Sequence, residues 1–421
     1  MKVKTSYVPN LEDVKAAAKK LEGVAIVTPL SKNLRYSKEY QANVFFKRED
    51  LQQVRSYKIR GAYNKMSSLS QDESAKGIVC ASAGNHAQGV ALSCKDLKIK
   101  GSIFMPSPTP MQKIEQVKMF GEDYIDIQLV GDTFDDAYNS AIKECEEKGK
   151  TFIHPFNDPK IIEGQATIGL ELLDQIKSEK IDYIFLPVGG GGLASGLSQV
   201  FKILSPQTKI IGVEPKGAPS MSTSIQNGEN TGLNKIENFV DGAAVKRVGD
   251  LTFKIAKQNL HDMITVDEGL ICQTILDLYN REAIVAEPAA ALSIAALEYF
   301  RDEIKGKNIV CVISGSNNDI TRTAEIKERA MLYADLKHYF IVRFPQRAGA
   351  LRQFVDDILG PDDDITYFQY AKKTNRQTGT AVVGLELKSK SDFEPLVKRM
   401  KNQNFYGDYL NNKPDLFQFL V

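Results

Sequence analysis

Cysteine is scarce in this sequence, and its arrangement excludes two common uses of the residue. The five cysteines are odd in number and none forms a Cys-x-x-Cys pair, so neither a disulfide framework nor a zinc knuckle is expected. Cys80 and Cys311 lie in the apolar runs GIVCAS and NIVCVIS, which predicts buried free thiols. Free thiols indicate a reducing compartment.

Net charge and long apolar segments are also missing. The 54 Lys and Arg nearly balance the 53 Asp and Glu, for a formal net charge of +1, which gives no sign of nucleic-acid or anionic-membrane binding. No run approaches the roughly 20 apolar residues that span a bilayer. The first residues, MKVKTSYVPNLEDVKAA, contain no apolar signal core. These absences favour a cytoplasmic protein, and 421 residues suffice for two or three domains.

Short β-rich runs alternate with amphipathic helical stretches between residues 77 and 318. An earlier run, VFFKRED at 44–50, adds one more strand. Alternation at this spacing predicts a parallel sheet with helices on both faces. The later strands are predicted at 77–82, 100–105, 124–130, 183–188, 209–214 and 308–314.

The C-terminal part of the chain has a different order of elements. A helix at about 317–333 marks the boundary between a first region, 1–330, and an appended module, 334–421. The module reads β-α-β-β-α-β, the ferredoxin-like order. Its elements are predicted at 338–344, 347–360, 365–371, 380–388 and 391–401, with a final strand within YLNNKPDLFQFLV.

The segment SYKIRGA, which follows the early strand, contains a lysine in an unusual setting. A lysine is ordinarily a solvated surface charge. Lys58 instead opens a predicted helix, where the positive end of the helix dipole disfavours a cation, and Tyr57 offers an apolar wall. A site that lowers the pKa of an amine suits Schiff-base chemistry.

Two polar turns follow predicted strands, SAGNHAQG (Ser82–Gly89) and VISGSNND (Val312–Asp319). Ligands of open α/β sheets bind at the carboxyl ends of the strands, where both turns lie, so Ser314 could face a ligand. Simple helix capping by Asn85 or Asn317 explains each turn equally well when it is taken alone.

A run of four glycines in PVGGGGLASG, Pro187–Gly196, lies between a buried strand and a helix. Backbone N–H groups at such a helix start form a phosphate cradle. No GK[ST] follows, so the loop is not a Walker loop. Glu214 lies about as far along the chain as the acidic residue of a dinucleotide-binding site, so that kind of site stays open. Taken alone, the loop indicates only a phosphate. Pyridoxal phosphate needs an amine, a phosphate cradle and partners for its ring, whereas a nicotinamide enzyme has no use for Lys58.

The motifs FKREDLQ, SYKIRGAYN, SAGNHAQG, HPFNDP, GGGGL and ISGSNN occur in an order and spacing that carry a specific family likeness. The chain resembles the biosynthetic threonine dehydratases (threonine ammonia-lyases), fold-type II pyridoxal-phosphate enzymes, over essentially its whole length. The resemblance implies a tryptophan synthase β-like α/β catalytic domain, 1–330, with two open parallel-sheet subdomains, the smaller at about 44–150. It implies an α+β, ferredoxin-like, ACT-type regulatory domain at 334–421.

The resemblance also implies a role for each motif residue. Lys58 would carry pyridoxal 5'-phosphate, Asn85 would bind its phenolic oxygen, and Ser314 would lie against its pyridine nitrogen. Backbone amides would cradle the phosphate, from Gly189, Gly190, Gly191, Gly192 and Leu193. A pocket for the substrate carboxylate would be formed by Ser82, Ala83, Gly84 and His86.

The implied reaction converts L-threonine to 2-oxobutanoate and ammonia, the first step of isoleucine biosynthesis, and L-serine would give pyruvate. The C-terminal module, with FIVRFPQRAGALRQF, implies feedback inhibition by isoleucine, with valine as an antagonist. A module that only mediates dimerisation is the alternative. Family members imply a homotetramer or a homodimer.

Other readings stay open at this stage. One is an L-serine dehydratase or another β-eliminating or β-replacing relative, such as a cysteine synthase or threonine synthase. Another is a non-catalytic amino-acid sensor, although a sensor should have lost cofactor motifs that are intact here. Ala83 replaces the serine of related racemases, which argues against racemisation. Ser220 replaces the aspartate that, with Glu214, would bind a divalent metal in those relatives, so no metal site is expected.

Overall fold

The computed structural model describes residues 7–176, 180–371, 378–413 and 415–417. The chain divides into two compact units, Met1–Arg322 and Thr323–Val421. Within the described ranges, no helix is both long enough and apolar enough to cross a membrane. All five cysteines are free, and Cys80 and Cys311 are buried as predicted.

The first unit alternates strands and helices along the chain. Its strands are β1 (Leu30–Lys32), β2 (Asn43–Arg48), β3 (Ile78–Ala81), β4 (Gly101–Met105), β5 (Ile125–Leu129), β6 (Thr151–Phe152), β7 (Tyr183–Pro187), β8 (Lys209–Pro215), β9 (Asp262–Val266) and β10 (Asn308–Ile313). Its helices are α1 (Leu11–Leu21), α2 (Leu34–Tyr40), α3 (Lys58–Met66), α4 (Gln71–Lys76), α5 (Asn85–Leu97), α6 (Met111–Gly121), α7 (Phe134–Lys148), α8 (Pro159–Gln175), α9 (Gly192–Leu204), α10 (Ser220–Asn227), α11 (Asp250–Asn259), α12 (Glu268–Glu282) and α13 (Pro288–Ala295).

These strands form two open sheets. The smaller sheet has the order β5-β4-β3-β6 and is parallel throughout. The larger sheet has the order β1-β2-β10-β7-β8-β9 and is parallel except at the β1 edge. The two open parallel-sheet subdomains that the resemblance implies are thus confirmed.

Each sheet is buried on both faces, which explains why its strands are continuous apolar runs in the sequence. All four residues of β3 are buried. Ile78 and Cys80 pack into the core that contains α5 and α6 residues, whereas Val79 and Ala81 pack against α7. Alternate side chains of one strand thus pack against helices on opposite faces of the sheet.

The second unit is an antiparallel sheet with helices. Its strands are β11 (Lys337–Pro345), β12 (Asp364–Ala371), β13 (Thr378–Glu386) and β14 (Tyr406–Tyr409), in the order β12-β13-β11-β14. Its helices are α14 (Thr323–Tyr333), α15 (Ala350–Gln353), which continues as a π-helical turn over Phe354–Ile358, and α16 (Phe393–Asn402). This is the predicted α+β, ferredoxin-like order.

The structure shifts the predicted ends of that unit. The helix expected at 317–333 begins at Thr323, after a short 3-10 turn at Ile320–Arg322. The closing strand is β14, which ends at Tyr409, and not the run after it, because residues 415–417 are helical. Residues 414 and 418–421 of that run lie outside the described residues.

Candidate active site

Four predicted segments lie at the carboxyl ends of parallel strands. Asn85 opens α5 after β3, Gly192 opens α9 after β7, and Ser314 follows β10 directly. Lys58 opens α3, and the segment before it is tied to the end of β10: the Tyr57 amide donates to the Ser314 carbonyl (3.2 Å). This arrangement is the usual ligand position in an open α/β sheet.

Lys58 has the environment that amine chemistry needs. The residue is half-buried, and its Nζ donates to the Pro155 carbonyl (3.1 Å) and lies 5.3 Å from the centroid of the Tyr57 ring. Burial lowers the pKa of Lys58 to about 8, while the Glu287 carboxyl opposes that decrease. A larger fraction of this amine is therefore neutral near pH 7 than of an ordinary lysine.

A buried ion network holds the first turn of α3. Arg60 Nε donates to Glu49 Oε2 (2.8 Å) and Arg60 Nη1 to Glu171 Oε1 (2.6 Å), while Lys47 Nζ donates to Glu171 Oε2 (2.6 Å). Buried charges are tolerated when each is paired in this way. Because Arg60 is two residues beyond Lys58, the network fixes the backbone that carries the amine.

The segment HPFNDP lies between the lysine and the glycine loop. His154 Nδ1 accepts from the amides of Phe156 (3.2 Å) and Asn157 (2.9 Å). Burial lowers the pKa of His154 to about 4, so the ring stays neutral. Asn157 Oδ1 accepts from the Leu251 amide (3.0 Å), which links the segment to α11. Sequence reasoning assigned no role to these residues.

The glycine loop is shaped by contacts that exclude side chains. A Cβ at Gly190 would lie 2.1 Å from Phe156 Cδ1, and Gly191 has φ +89° as the N-cap of α9. Thr252 Oγ1 donates to the Gly190 carbonyl (2.6 Å). The amides of Gly192 and Leu193 belong to the first turn of α9, where the helix itself provides no acceptor. The turn therefore presents backbone donors suited to a phosphate.

Gly190→Ala tests that close packing. The new methyl group must displace the Phe156 ring, so we expect the free energy of unfolding to fall by about 1–3 kcal/mol, together with weaker binding of a phosphate-bearing cofactor. Gly232→Ala is the matched control, because a Cβ there would meet no atom closer than 3.8 Å. Thermal unfolding of both variants is the measurement. Equal melting temperatures would contradict the packing argument.

The predicted substrate pocket is the turn between β3 and α5. The Ser82 amide donates to the Phe104 carbonyl (3.1 Å), and Ser82 Oγ accepts from the Gly84 amide (3.2 Å). Ala83 and Gly84 are half-buried. His86 is buried with Nε2 against the Ile153 carbonyl (2.8 Å), and burial lowers the pKa of His86 to about 3.

Asn85 and Asn317 do not cap helices. Gly84, and not Asn85, is the N-cap of α5, and Asn317 lies in an irregular segment. Asn85 Nδ2 donates to both carboxylate oxygens of Glu287 (2.8 and 3.0 Å), and its Oδ1 accepts from Asn317 Nδ2. The capping alternative is therefore wrong for these side chains, and Glu287 is a residue that sequence reasoning missed.

The Glu214 carboxylate is hydrogen-bonded by residues that follow it closely in the chain. Its oxygens accept from the Met221 amide (2.6 Å) and from the amide (2.9 Å) and hydroxyl (2.7 Å) of Ser222, at the start of α10. Burial raises the pKa of Glu214 to about 7. The hydroxyl of Ser220 donates to the Val245 carbonyl. No group of metal-ligating side chains was found in the described part of the chain.

The donor set fits pyridoxal phosphate. It combines an amine of lowered pKa at Lys58, a glycine turn that a Cβ would fill at Gly190, and a side-chain amide at Asn85 held in a part-buried hydrogen-bond network. Ser314, which is 2% exposed, brings a hydroxyl to the same edge. These are the groups that the cofactor's aldehyde, phosphate and ring require.

Family models match both units. Residues 21–315 match the model described as "Pyridoxal-phosphate dependent enzyme". Residues 328–420 match "C-terminal regulatory domain of Threonine dehydratase".

Curated and solved relatives agree with these matches. The chain is 52% identical over 419 residues to L-threonine dehydratase biosynthetic IlvA of Bacillus subtilis, covering 100% of this chain and 99% of the relative. The processed form of threonine deaminase isoform 2 from Solanum lycopersicum superimposes with a TM-score of 0.72 at 40% identity, covering 77% of this chain and 95% of that one. Maize serine racemase superimposes with a TM-score of 0.71 at 30% identity, covering 78% and 99%.

Proposed function

The chain belongs to the family of pyridoxal-phosphate-dependent biosynthetic L-threonine dehydratases, and from that premise we propose that it converts L-threonine to 2-oxobutanoate and ammonia with Lys58 as the residue that carries the cofactor. The observation that carries this proposal is the placement of the Lys58 amine. It lies where the strand ends meet, against the Pro155 carbonyl, and burial lowers its pKa to about 8.

The remaining site residues have proposed roles around that amine. Asn85 donates to the phenolic oxygen of the cofactor, and Ser314 lies against its pyridine nitrogen. The phosphate is held by backbone amides of Gly189, Gly190, Gly191, Gly192 and Leu193. The substrate carboxylate is bound in the turn formed by Ser82, Ala83, Gly84 and His86. The close packing of the glycine loop at Gly190 and the burial of Ser314 and His86 support these assignments.

Pyridoxal phosphate supplies an aldehyde and an electron sink; the chain supplies the proton transfers and the orientation. The Lys58 amine would serve as the base for the α-proton of the substrate, because its surroundings disfavour the ammonium form. Ser314 offers a neutral hydroxyl where a carboxylate would stabilise a pyridinium. Ala83 has no hydroxyl to protonate the opposite face of the α-carbon.

Borohydride reduction and product analysis test the assignment. The purified holoenzyme is reduced, digested and mapped by mass spectrometry, and we expect the reduced cofactor adduct on Lys58. In parallel, the unreduced enzyme should release 2-oxobutanoate from L-threonine. Lys65, on the same helix but paired with Asp158 (2.8 Å), should stay unmodified. An adduct elsewhere would refute the role of Lys58, and a faster reaction with L-serine would favour a serine dehydratase.

We propose that the C-terminal region binds isoleucine as a feedback inhibitor, with valine as an antagonist. The match of residues 328–420 to a regulatory domain supports an amino-acid effector. We also propose a catalytic domain at about 1–330, with a smaller subdomain at about 44–150, a regulatory domain at 334–421, and a homodimer or homotetramer. The structure corrects two of these bounds. β2 (Asn43–Arg48) pairs in the larger sheet, so the smaller subdomain begins after it, and the second unit begins with α14 at Thr323. A cytoplasmic location is supported by the five free cysteines.

A further inference from the structure

A buried carboxyl group beside the proposed cofactor site has no role in the function described so far. Glu287 is 5% exposed and precedes α13 as its N-cap residue, yet its side chain makes no capping hydrogen bond. Its carboxylate is turned instead toward the start of α5, where Asn85 lies.

The donors to this carboxylate are neutral amides. Asn85 Nδ2 donates to both oxygens (2.8 and 3.0 Å), and the Asn317 backbone amide donates to Oε2 (3.3 Å). Burial raises the pKa of Glu287 to about 7, and the hydrogen bond from Asn85 opposes that increase. Hydrogen bonds from neutral amides offset only part of the cost of burying a carboxylate, which makes Glu287 a candidate for a functional role.

The surrounding backbone is shaped to admit the carboxylate. A Cβ at Gly315 would lie 2.7 Å from Glu287 Oε1, and the Glu287 amide donates to the Gly315 carbonyl (3.2 Å). Gly315 follows Ser314 directly. The glycine of the ISGSNN motif therefore leaves space for Glu287 immediately beside the serine that we assign to the cofactor ring.

The contacts of the Asn85 amide select one of its two orientations. Its nitrogen faces the Glu287 carboxylate, and its oxygen accepts from Asn317 Nδ2, which also donates to the Val54 carbonyl (3.2 Å). Rotating the amide by half a turn would place oxygen against a carboxylate and NH2 against NH2. Both contacts would then be repulsive.

We propose that Glu287, with Asn317, is a positioning residue that holds the Asn85 amide with its nitrogen as the donor toward the cofactor's phenolic oxygen. The inference rests on the proposed role of Asn85. An amide nitrogen carries two N–H groups, so one can remain on Glu287 while the other serves the ligand. A phenolate requires a donor, and the reversed amide would present an oxygen to it.

The test measures cofactor affinity and the visible spectrum, not only turnover. The dissociation constant for pyridoxal phosphate is determined for the full chain and for Glu287→Gln, Asn85→Ala and the double variant. Glu287→Gln brings an NH2 against Asn85 and removes the fixed charge. We expect about tenfold weaker binding, the size of a lost charge-assisted hydrogen bond, and a weakened visible band of the bound cofactor.

The double variant separates positioning from a direct contact. If Glu287 acts through Asn85, the double variant should bind no more weakly than Asn85→Ala alone. Glu268→Gln is the matched control, because Glu268 is also buried, its pKa is also raised by burial, and it accepts from the Gly217 amide (2.7 Å). That variant should keep the affinity within about twofold, since the loss of one remote contact does not reach Asn85.

The outcomes distinguish the inference about Glu287 from the proposed role of Asn85. Additive losses in the double variant would overturn the inference about Glu287 and leave the role of Asn85 intact. Unchanged affinity in Asn85→Ala would refute the proposed role of Asn85, and the inference with it. Should Glu287→Gln fail to fold, Asn317→Ala is the second variant, because it removes the donor to the Asn85 amide oxygen. It should weaken cofactor binding several-fold, and it should cause no further loss when combined with Asn85→Ala. Unchanged affinity in Asn317→Ala would overturn the inference.

Discussion

Lys58→Ala is expected to reduce turnover of L-threonine by at least about a thousandfold while the protein stays folded. Removing a positioned base alone typically costs about 10²–10⁴-fold in rate, and this substitution also removes the covalent attachment point of the cofactor. Folding should survive, because the buried ion pairs that hold α3 are made by Arg60 and Lys47 and not by Lys58.

The measurement is the rate of 2-oxobutanoate formation with saturating cofactor, together with thermal unfolding. Lys143→Ala is the control, because the Lys143 side chain is 75% exposed on α7 and its ion pair with Glu147 is long (3.8 Å). It should retain turnover within about twofold, as surface pairs contribute little. A Lys58→Ala enzyme within tenfold of the parent would show that another group performs the chemistry.

The sequence predicts the positions of Lys58, Asn85, Ser314 and the glycine loop because one physical rule applies to all four. In a parallel sheet the carboxyl ends of the strands lie along one edge, so polar or glycine-rich turns after apolar runs fall together. The structure places these turns at strand ends and joins two of them through Tyr57 and Ser314. Local patterns were sufficient for Asn85, Ser314 and the glycine loop because each directly follows its strand. Lys58 begins α3 only after β2 and a short 3-10 turn at Glu49–Leu51, and its segment reaches the same edge through the hydrogen bond from Tyr57 to Ser314.

Glu287 could not be found by the same rule. It lies 202 residues from Asn85 along the chain, and no strand precedes it directly. Its one local signal is chemical: a glutamate stands before Pro288 at a helix start, where Ser, Thr, Asp or Asn is preferred as the cap. A residue that is poorly suited to its local position is a candidate for a tertiary role.

The short edge strands were missed for a related reason. β6 has two residues, and β9 at the edge of the larger sheet is only partly buried along most of its length. Such strands lack the long apolar run by which a parallel strand is recognised. The pairing of β2 with β10 places Asn43 opposite Asn308. It is a contact between distant segments, which periodicity does not reveal.

A chain that ends at Arg322 is expected to retain turnover and to lose all response to isoleucine. The first unit, Met1–Arg322, has its own cores, which supports independent folding of the truncated chain. Ending the chain at about 334 would be a poorer choice. It would keep α14 but remove the rest of its unit, although Ile326 and Ala330 of that helix are buried.

The measurement is the threonine concentration at half-maximal rate, with and without isoleucine. Allosteric coupling is typically 1–3 kcal/mol, so isoleucine should raise this concentration by about 5–150-fold in the full chain and leave it unchanged in the truncated one. Inhibition that persists after truncation would place the effector site in the first unit. An effector regulates only by binding two states unequally. If the full chain does not respond to isoleucine, the feedback proposal fails and the alternative, a second unit that serves assembly alone, is favoured.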